Sequence, residues 1–421
     1  MTIGPPQSHD IFTDNERWGD LDAWNRAALD LLEQGPIHRI EREGFEPFWA
    51  VVGHEAVFNV ERQPDLFTNG PIPVLTTIEA FEQRGVDIKT LIHMDAPEHT
   101  EYRRLTADWF KPASISRLDG RLQELSDEAL DQLRGFVGGD GVGRCDFARD
   151  IALPFPLQVI LKILGLPPED YPRMLQLTQE LFGGEDPDLQ REELTPEVIN
   201  QVLMDFYGYF TALTTDRRAE PTDDLATLIA NGQIGGEAMP DLETMGYYTI
   251  VATAGHDTTS SAMSGGLHAL AEHPDQFETL RDHDHAADPS VINNAVEEMI
   301  RWTAPVRHFM RTATADTEVA GQEIKEGEWL YLSYKAANLD PNVFADPLSF
   351  DIARPNADKN ISFGFGRHYC LGAQLARNEL RRLFSTILPA IETLEMDGPE
   401  ASMKTTFVGG HKSVPIRYRL R

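Results

Sequence analysis

The segment Phe363-Gly364-Phe365-Gly366-Arg367-His368-Tyr369-Cys370-Leu371-Gly372 constrains this chain more than any other stretch of it. Its glycines and its cysteine stand directly before a helical pattern with apolar residues at Leu371, Leu375, Leu380 and Leu383. A cysteine at a helix start meets the positive end of the helix dipole and nearby backbone N–H groups, which favour thiolate over thiol. Glycines there permit tight turns and let the backbone approach a large flat ligand. A thiolate held in this way can ligate haem iron and push electron density towards it. Taken alone, such a cysteine reads equally well as a buried structural thiol. Cys145 is the only other cysteine, too few for a disulfide framework.

Residues 240–272 read as one long helix. Pro240 suits its first turn, Asp241 and Glu243 suit its positive end, and Pro274 lies just beyond it. At roughly 1.5 Å per residue it is long enough to cross the core. It contains Ala254-Gly255-His256-Asp257-Thr258-Thr259. Small residues at 254 and 255 leave space beside the helix, and the Thr258 hydroxyl can bond back to the carbonyl of residue 254 and open the helix locally. Without further context this is also a packing notch with a back-bonded threonine. Helical spacing marks residues 116–136, 156–165 and 290–303, the last ending before Pro305. Residues 313–333 alternate, with turn residues at Gly321 and Gly327, and suggest a small antiparallel sheet. Residues 64–73 and the acidic 183–197 read as surface loops, either of which can serve as a lid. The expectation is a mainly α fold with a small β region. With no repeat and no low-complexity linker, residues 1–421 are expected to form a single domain.

The cysteine segment resembles the haem-binding signature F-G-x-G-x-x-x-C-x-G of the cytochrome P-450 family, and other segments follow in that family's order. Glu298-Met299-Ile300-Arg301 looks like its E-x-x-R helix, with Arg354 as the third member of a structural triad that braces the cysteine loop. The resemblance extends to residues 95–100, 146–167 and 337–341. Residues 108–115, 302–311 and 407–410 are similar to the terpineol-hydroxylating branch. It implies a triangular, helix-rich prism with the long helix lying over haem b (iron protoporphyrin IX), and Cys370 as axial ligand to the metal. It also implies that His99, Arg103, Arg311 and His368 hold the haem propionates, and that Phe363, Gly364, Gly372 and Ala254 border the haem. Asp257 and Thr258 would be the acid–alcohol pair that relays protons for dioxygen cleavage; His256 is given no role. By position, Ile92, Ile250, Ala254, Val306, Phe309 and Val408 would line the substrate pocket, and each is equally explicable as core packing.

The activity implied is that of a monooxygenase hydroxylating a small hydrophobic substrate, monoterpenoid or alkylbenzene. Dioxygen and two electrons would be consumed, the electrons coming from a 2Fe-2S ferredoxin and its NAD(P)H-dependent reductase. Residues 68–94 contain no tyrosine, so a ketone-binding phenol of the camphor-hydroxylating kind is missing there. Ile72, Val74, Leu75, Leu91 and Ile92 offer hydrocarbon instead. A steroid or fatty-acid hydroxylase is the alternative within the family, and a peroxide-driven peroxygenase or a non-catalytic haem-thiolate sensor the alternatives beyond it. Asp257 and Thr258 speak against the last two, since neither needs a proton relay. The net charge of −31 argues against nucleic acid or an anionic membrane as partner. No apolar run is long enough to span a bilayer and the first residues lack signal-peptide character, so a cytoplasmic location is expected. Against this acidic background residues 354–382 carry six basic side chains and two acidic ones, a candidate docking patch for an acidic ferredoxin.

Overall fold

Leu122, Leu125, Ala129 and Leu133 recur three and four residues apart, and they form the buried face of helix α1 (Asp119–Gly135) in a computed structural model that describes residues 8–83, 89–182 and 196–421. Burying each leucine contributes about 1.5–3 kcal/mol, and that stripe rather than propensity holds the helix in place. Helix α2 (Pro154–Ile163) starts on a proline, whose missing N–H costs nothing in a first turn. The single helix expected over residues 240–272 is in fact two, α3 (Asp241–Ala254) and α4 (Asp257–Glu272), separated at Gly255 and His256. The cause is local. Thr258 Oγ1 donates to the Ala254 carbonyl at 2.8 Å and so takes the acceptor that a continuing helix would use. Gly255 also does not leave space, as its size suggested. A Cβ there would stand 2.7 Å from Ile160 Cδ1, so α2 fills the notch.

Helix α4 packs against α5 (Ser290–Thr303) and α6 (Ala373–Ile387) in the main apolar cluster. The fold is mainly helical with a small β region, as expected. The largest sheet runs in the order Ile37–Ile40, Phe48–Val51, Trp329–Ser333, His308–Ala313, Phe67–Thr68. Residues 313–333 contain the expected antiparallel hairpin, Thr317–Val319 with Gln322–Ile324, and the strand Trp329–Ser333, whose antiparallel partner His308–Ala313 lies almost wholly before that stretch. The sheet is mixed, however, because Trp329–Ser333 pairs in parallel with Phe48–Val51. Residues 64–73 form a connection interrupted by Phe67–Thr68, with Leu75 built into a core cluster beside Met310 and Tyr331. Most of the second presumed lid, residues 183–195, lies outside the described residues, as do 84–88. Among the described residues no helix is long and apolar enough to cross a membrane.

Candidate active site

The cysteine loop is held by backbone geometry that its glycines permit. Gly364 and Gly366 have φ of +65° and +69°, a left-handed conformation that disfavours other residues. At Gly366 a Cβ would stand 2.5 Å from the Glu61 carbonyl oxygen, so only glycine lets the loop lie on the end of the helix His54–Glu61. The Cys370 N–H donates to the Phe363 carbonyl at 2.9 Å and closes the turn. Arg377 lies over the Phe363 ring, 4.4 Å from its centre. Helix α6 begins at Ala373, slightly later than the apolar pattern implied, with Gly372 as its N-cap. Around Gly372 no atom of its surroundings lies within 4 Å of where a Cβ would stand. Burial pushes the Cys370 thiol up, while the Gly372 and Ala373 N–H groups and the Arg103 and Arg377 guanidinium groups favour thiolate.

The expected triad is formed. Arg301 donates to both Glu298 oxygens at 2.7 and 2.8 Å, and Arg354 Nε reaches the same carboxylate at 3.0 Å. All three residues are buried, so removing one partner would cost about 3–5 kcal/mol by stranding a charge. The link to the cysteine loop runs through Asn338, which the sequence reading did not single out. Arg301 donates to its carbonyl at 3.0 Å, and its amide holds Ser362 Oγ at 2.8 Å and the Ile361 N–H at 2.9 Å. Two residues later the chain enters the loop at Phe363.

His99 and His368 face each other, ring centres 4.1 Å apart, and His99 Nδ1 and His368 Nε2 are buried without a hydrogen-bond partner among the described residues. Burial, then the charges of Arg103 and Arg367, bring His99 down to about 4. Burial and Arg311 act likewise on His368. Arg103 donates to the Tyr369 carbonyl at 2.6 Å, which ties this group to the cysteine loop. Arg311 adds a partner that sequence reasoning missed: Glu61, fully buried, accepts from Arg311 at 3.1 Å and from the Tyr334 hydroxyl at 2.6 Å. Burial raises the Glu61 carboxyl and Arg311 works against that rise. Two unpaired ring nitrogens lie beside Arg103, which meets no carboxylate among the described residues, and this cluster has room for an anion.

The interrupted helix supplies the remaining chemistry. Ala254 is exposed although its neighbours Ala252 and Thr253 are buried, and Thr258 is half-buried. Ile250 lies one turn before Ala254 on the same face. Asp257 occupies the first turn of α4, where the helix dipole favours an anion, yet burial raises its carboxyl. Its Oδ2 has no hydrogen-bond partner among the described residues. Of the expected pocket residues, Val306 and Val408 pair across a β-bridge, and Phe309 packs on Phe407 at 5.3 Å between ring centres. The turn Leu91–His93, which carries Ile92, lies against α3.

A profile of the Cytochrome P450 family matches residues 33–416. The chain is a member of the cytochrome P450 family. It is 40% identical over 405 residues to "Cytochrome P450-terp" of a Pseudomonas species, covering 92% of each chain. It is 35% identical to a steroid C26-monooxygenase of Mycolicibacterium smegmatis, covering 90% of this chain and 89% of that one. The crystal structure of CYP108D1 from Novosphingobium aromaticivorans superposes with a TM-score of 0.88 at 39% identity, with both chains fully covered. This P450 is therefore a monooxygenase that uses haem b on a cysteine thiolate. Its residues fit that group: a loop cysteine, open space at Gly372, and an anion-deficient cluster suited to two propionates.

Proposed function

We propose that this P450 hydroxylates a small, largely hydrocarbon substrate of the monoterpenoid or alkylbenzene class, with Cys370 as the axial ligand. The pairing of a glycine-shaped cysteine loop with a helix opened by Thr258 carries this reading. Haem b, when bound, supplies the binding and reductive splitting of dioxygen. Arg103, His99 and His368 would hold its propionates, with Arg311 shared between a propionate and Glu61. Phe363, Gly364, Gly372 and Ala254 would border the ring. Thr258 keeps its hydroxyl proton on the Ala254 carbonyl, which leaves its oxygen free to accept a hydrogen bond from the oxygen side. Asp257 would pass protons inward through Oδ2. Ile92, Ile250, Ala254, Val306, Phe309 and Val408 would exclude water and select by shape, giving a lining without ionisable groups. The relative named for a terpene-type P450 supports a terpenoid; the steroid monooxygenase relative marks the competing class.

The electrons would come from a 2Fe-2S ferredoxin with its NAD(P)H-dependent reductase, in the cytoplasm, and residues 1–421 would act as one haem domain. Around the cysteine loop Phe365 and Tyr369 are 38% and 39% exposed, with Arg367 beside them, which supports docking on that side. Titrating monoterpenoids, alkylbenzenes, steroids and fatty acids into the ferric holoenzyme tests the substrate class through the low-to-high-spin shift. Products are then identified with ferredoxin and reductase, and separately with peroxide alone. A full shift and an alcohol product with a terpenoid or alkylbenzene, dependent on ferredoxin, is the expected result. A preference for steroids or fatty acids, or efficient turnover on peroxide alone, would contradict it.

A further inference from the structure

His308 opens the strand His308–Ala313 and is fully buried, whereas its neighbours Val306 and Phe309 are half-buried. Both of its ring nitrogens are engaged, by groups of opposite kind. The Leu75 N–H donates to Nε2 at 3.0 Å, so Nε2 carries no proton. Nδ1 stands 3.1 Å from the Thr406 carbonyl oxygen, which can only accept, so the ring proton is on Nδ1. The side chain is therefore a neutral imidazole of one tautomer, and burial, which brings it down to about 3, keeps it neutral. Packing fixes its plane. The ring stacks on Tyr331, 4.2 Å between centres and 17° from parallel, and Phe407 meets it edge-on at 5.6 Å.

The two bonds reach segments 233 and 98 positions away. The strand also holds each segment by its backbone: the Met310 N–H donates to the Pro73 carbonyl at 2.8 Å, and the Arg307 N–H to the Phe407 carbonyl at 2.9 Å. Those bonds tie each segment to the strand, and the imidazole, rigid in plane and tautomer, ties the two segments to each other. Apolar residues expected at the substrate stand on all three parts. Half-buried Val74 lies between the tethered Pro73 and Leu75, Val408 bridges to Val306, and Phe407 packs on Phe309 at 5.3 Å. We infer that His308 is a positioning residue that sets substrate selectivity: it clips the Leu75 segment to the Thr406 loop and so fixes the spacing of Val74, Phe309 and Val408. A hydrocarbon lining recognises shape alone, and it distinguishes one methyl group only while its opposing walls keep their distance.

This inference rests on the reading that Val306, Phe309 and Val408 line a shape-selective pocket, and the experiment separates the two. The clip is read without substrate, in the ¹⁵N-histidine-labelled ferrous carbon monoxide holoenzyme, where His308 should be protonated on Nδ1 and bare on Nε2. A proton on Nε2 overturns the inference. His308→Phe keeps a ring against Tyr331 but bonds neither segment, whereas the amide oxygen of His308→Gln can still accept from Leu75. Hydrogen exchange at the Leu75 amide should quicken on the order of tenfold in His308→Phe and return towards wild type in His308→Gln. Selectivity is read from spin-shift titrations with monoterpenoids and alkylbenzenes that differ by single methyl groups. The ratio of Kd between best and worst ligand should shrink on the order of tenfold in His308→Phe, with the ferrous carbon monoxide spectrum unchanged, and recover in part in His308→Gln. Unchanged ratios in His308→Phe, with wild type selective, would overturn the inference. Should His308→Phe not take up haem, His308→Asn, which reaches Thr406 but not Leu75, carries the same comparison. Wild type that does not discriminate among these ligands would refute the shape-selective pocket, and with it the role of His308 in selectivity.

Discussion

Thr258 combines two roles that one substitution separates. Its hydroxyl donates to the Ala254 carbonyl, so a purely structural role predicts only a small stability change on removal. With a role in dioxygen cleavage, Thr258→Ala should keep haem content, substrate affinity and oxygen consumption. Product formed per NADH should fall while hydrogen peroxide rises, and Thr258→Ser should restore part of the coupling. Full coupling in Thr258→Ala would remove the residue from the chemistry. Cys370, Thr258 and the Glu298–Arg301 pair were legible in the sequence because their signals are local, within a loop or a helical turn. Glu61 was not, because its partners Arg311 and Tyr334 lie 250 and 273 positions away. Nothing near Glu61 in sequence distinguishes it from an exposed acid at a helix end.

The helices were readable as elements, and so was a local opening at Thr258, but not the full interruption between α3 and α4 or its packing on α2. Apolar spacing and the flanking prolines marked both outer ends correctly, whereas the close fit of α2 on Gly255 is a contact between distant segments. The tight fit of Gly255 on Ile160 makes that contact measurable. Gly255→Ala should destabilise the protein by about 1–3 kcal/mol through overpacking. Ile160→Val deletes the Cδ1 methyl that a new Cβ would strike, at 2.7 Å. Thermal or denaturant unfolding of the double variant should therefore show less destabilisation than the sum of the single changes. Strict additivity would mean that Ile160 does not limit the space at Gly255. Strands Ile37–Ile40 and Phe48–Val51 were missed because four residues each give too little alternation to stand out.

For the whole molecule the net charge of −31 makes the surroundings of the cysteine loop unusual. The surplus of basic residues in 354–382 is smaller at the surface than in the sequence. Arg354 is buried in the triad, Arg377 pairs with Glu297 at 2.5 Å, and Arg367 pairs with Asp65 at 3.1 Å. Sequence counting does not distinguish an arginine spent inside the fold from one facing a partner. The Arg367 pair is solvent-facing and weak, so its charge still contributes to the outer field. Reduction by an acidic ferredoxin should therefore slow as salt is raised, and Arg367→Glu should lower the association rate without moving the haem spectrum. Stopped-flow reduction that is indifferent to both ionic strength and Arg367→Glu would exclude docking driven by this face.

The assignment of Cys370 as the metal ligand is tested most directly by the absorbance of the ferrous carbon monoxide complex in Cys370→Ser and Cys145→Ser. Cys145→Ser should keep the red-shifted Soret band of thiolate ligation, because that thiol lies on the strand Gly143–Asp146, held up at about 12 by burial. Cys370→Ser should abolish the band while far-ultraviolet dichroism reports the same helical content. A thiolate spectrum that survives in Cys370→Ser would contradict the assignment.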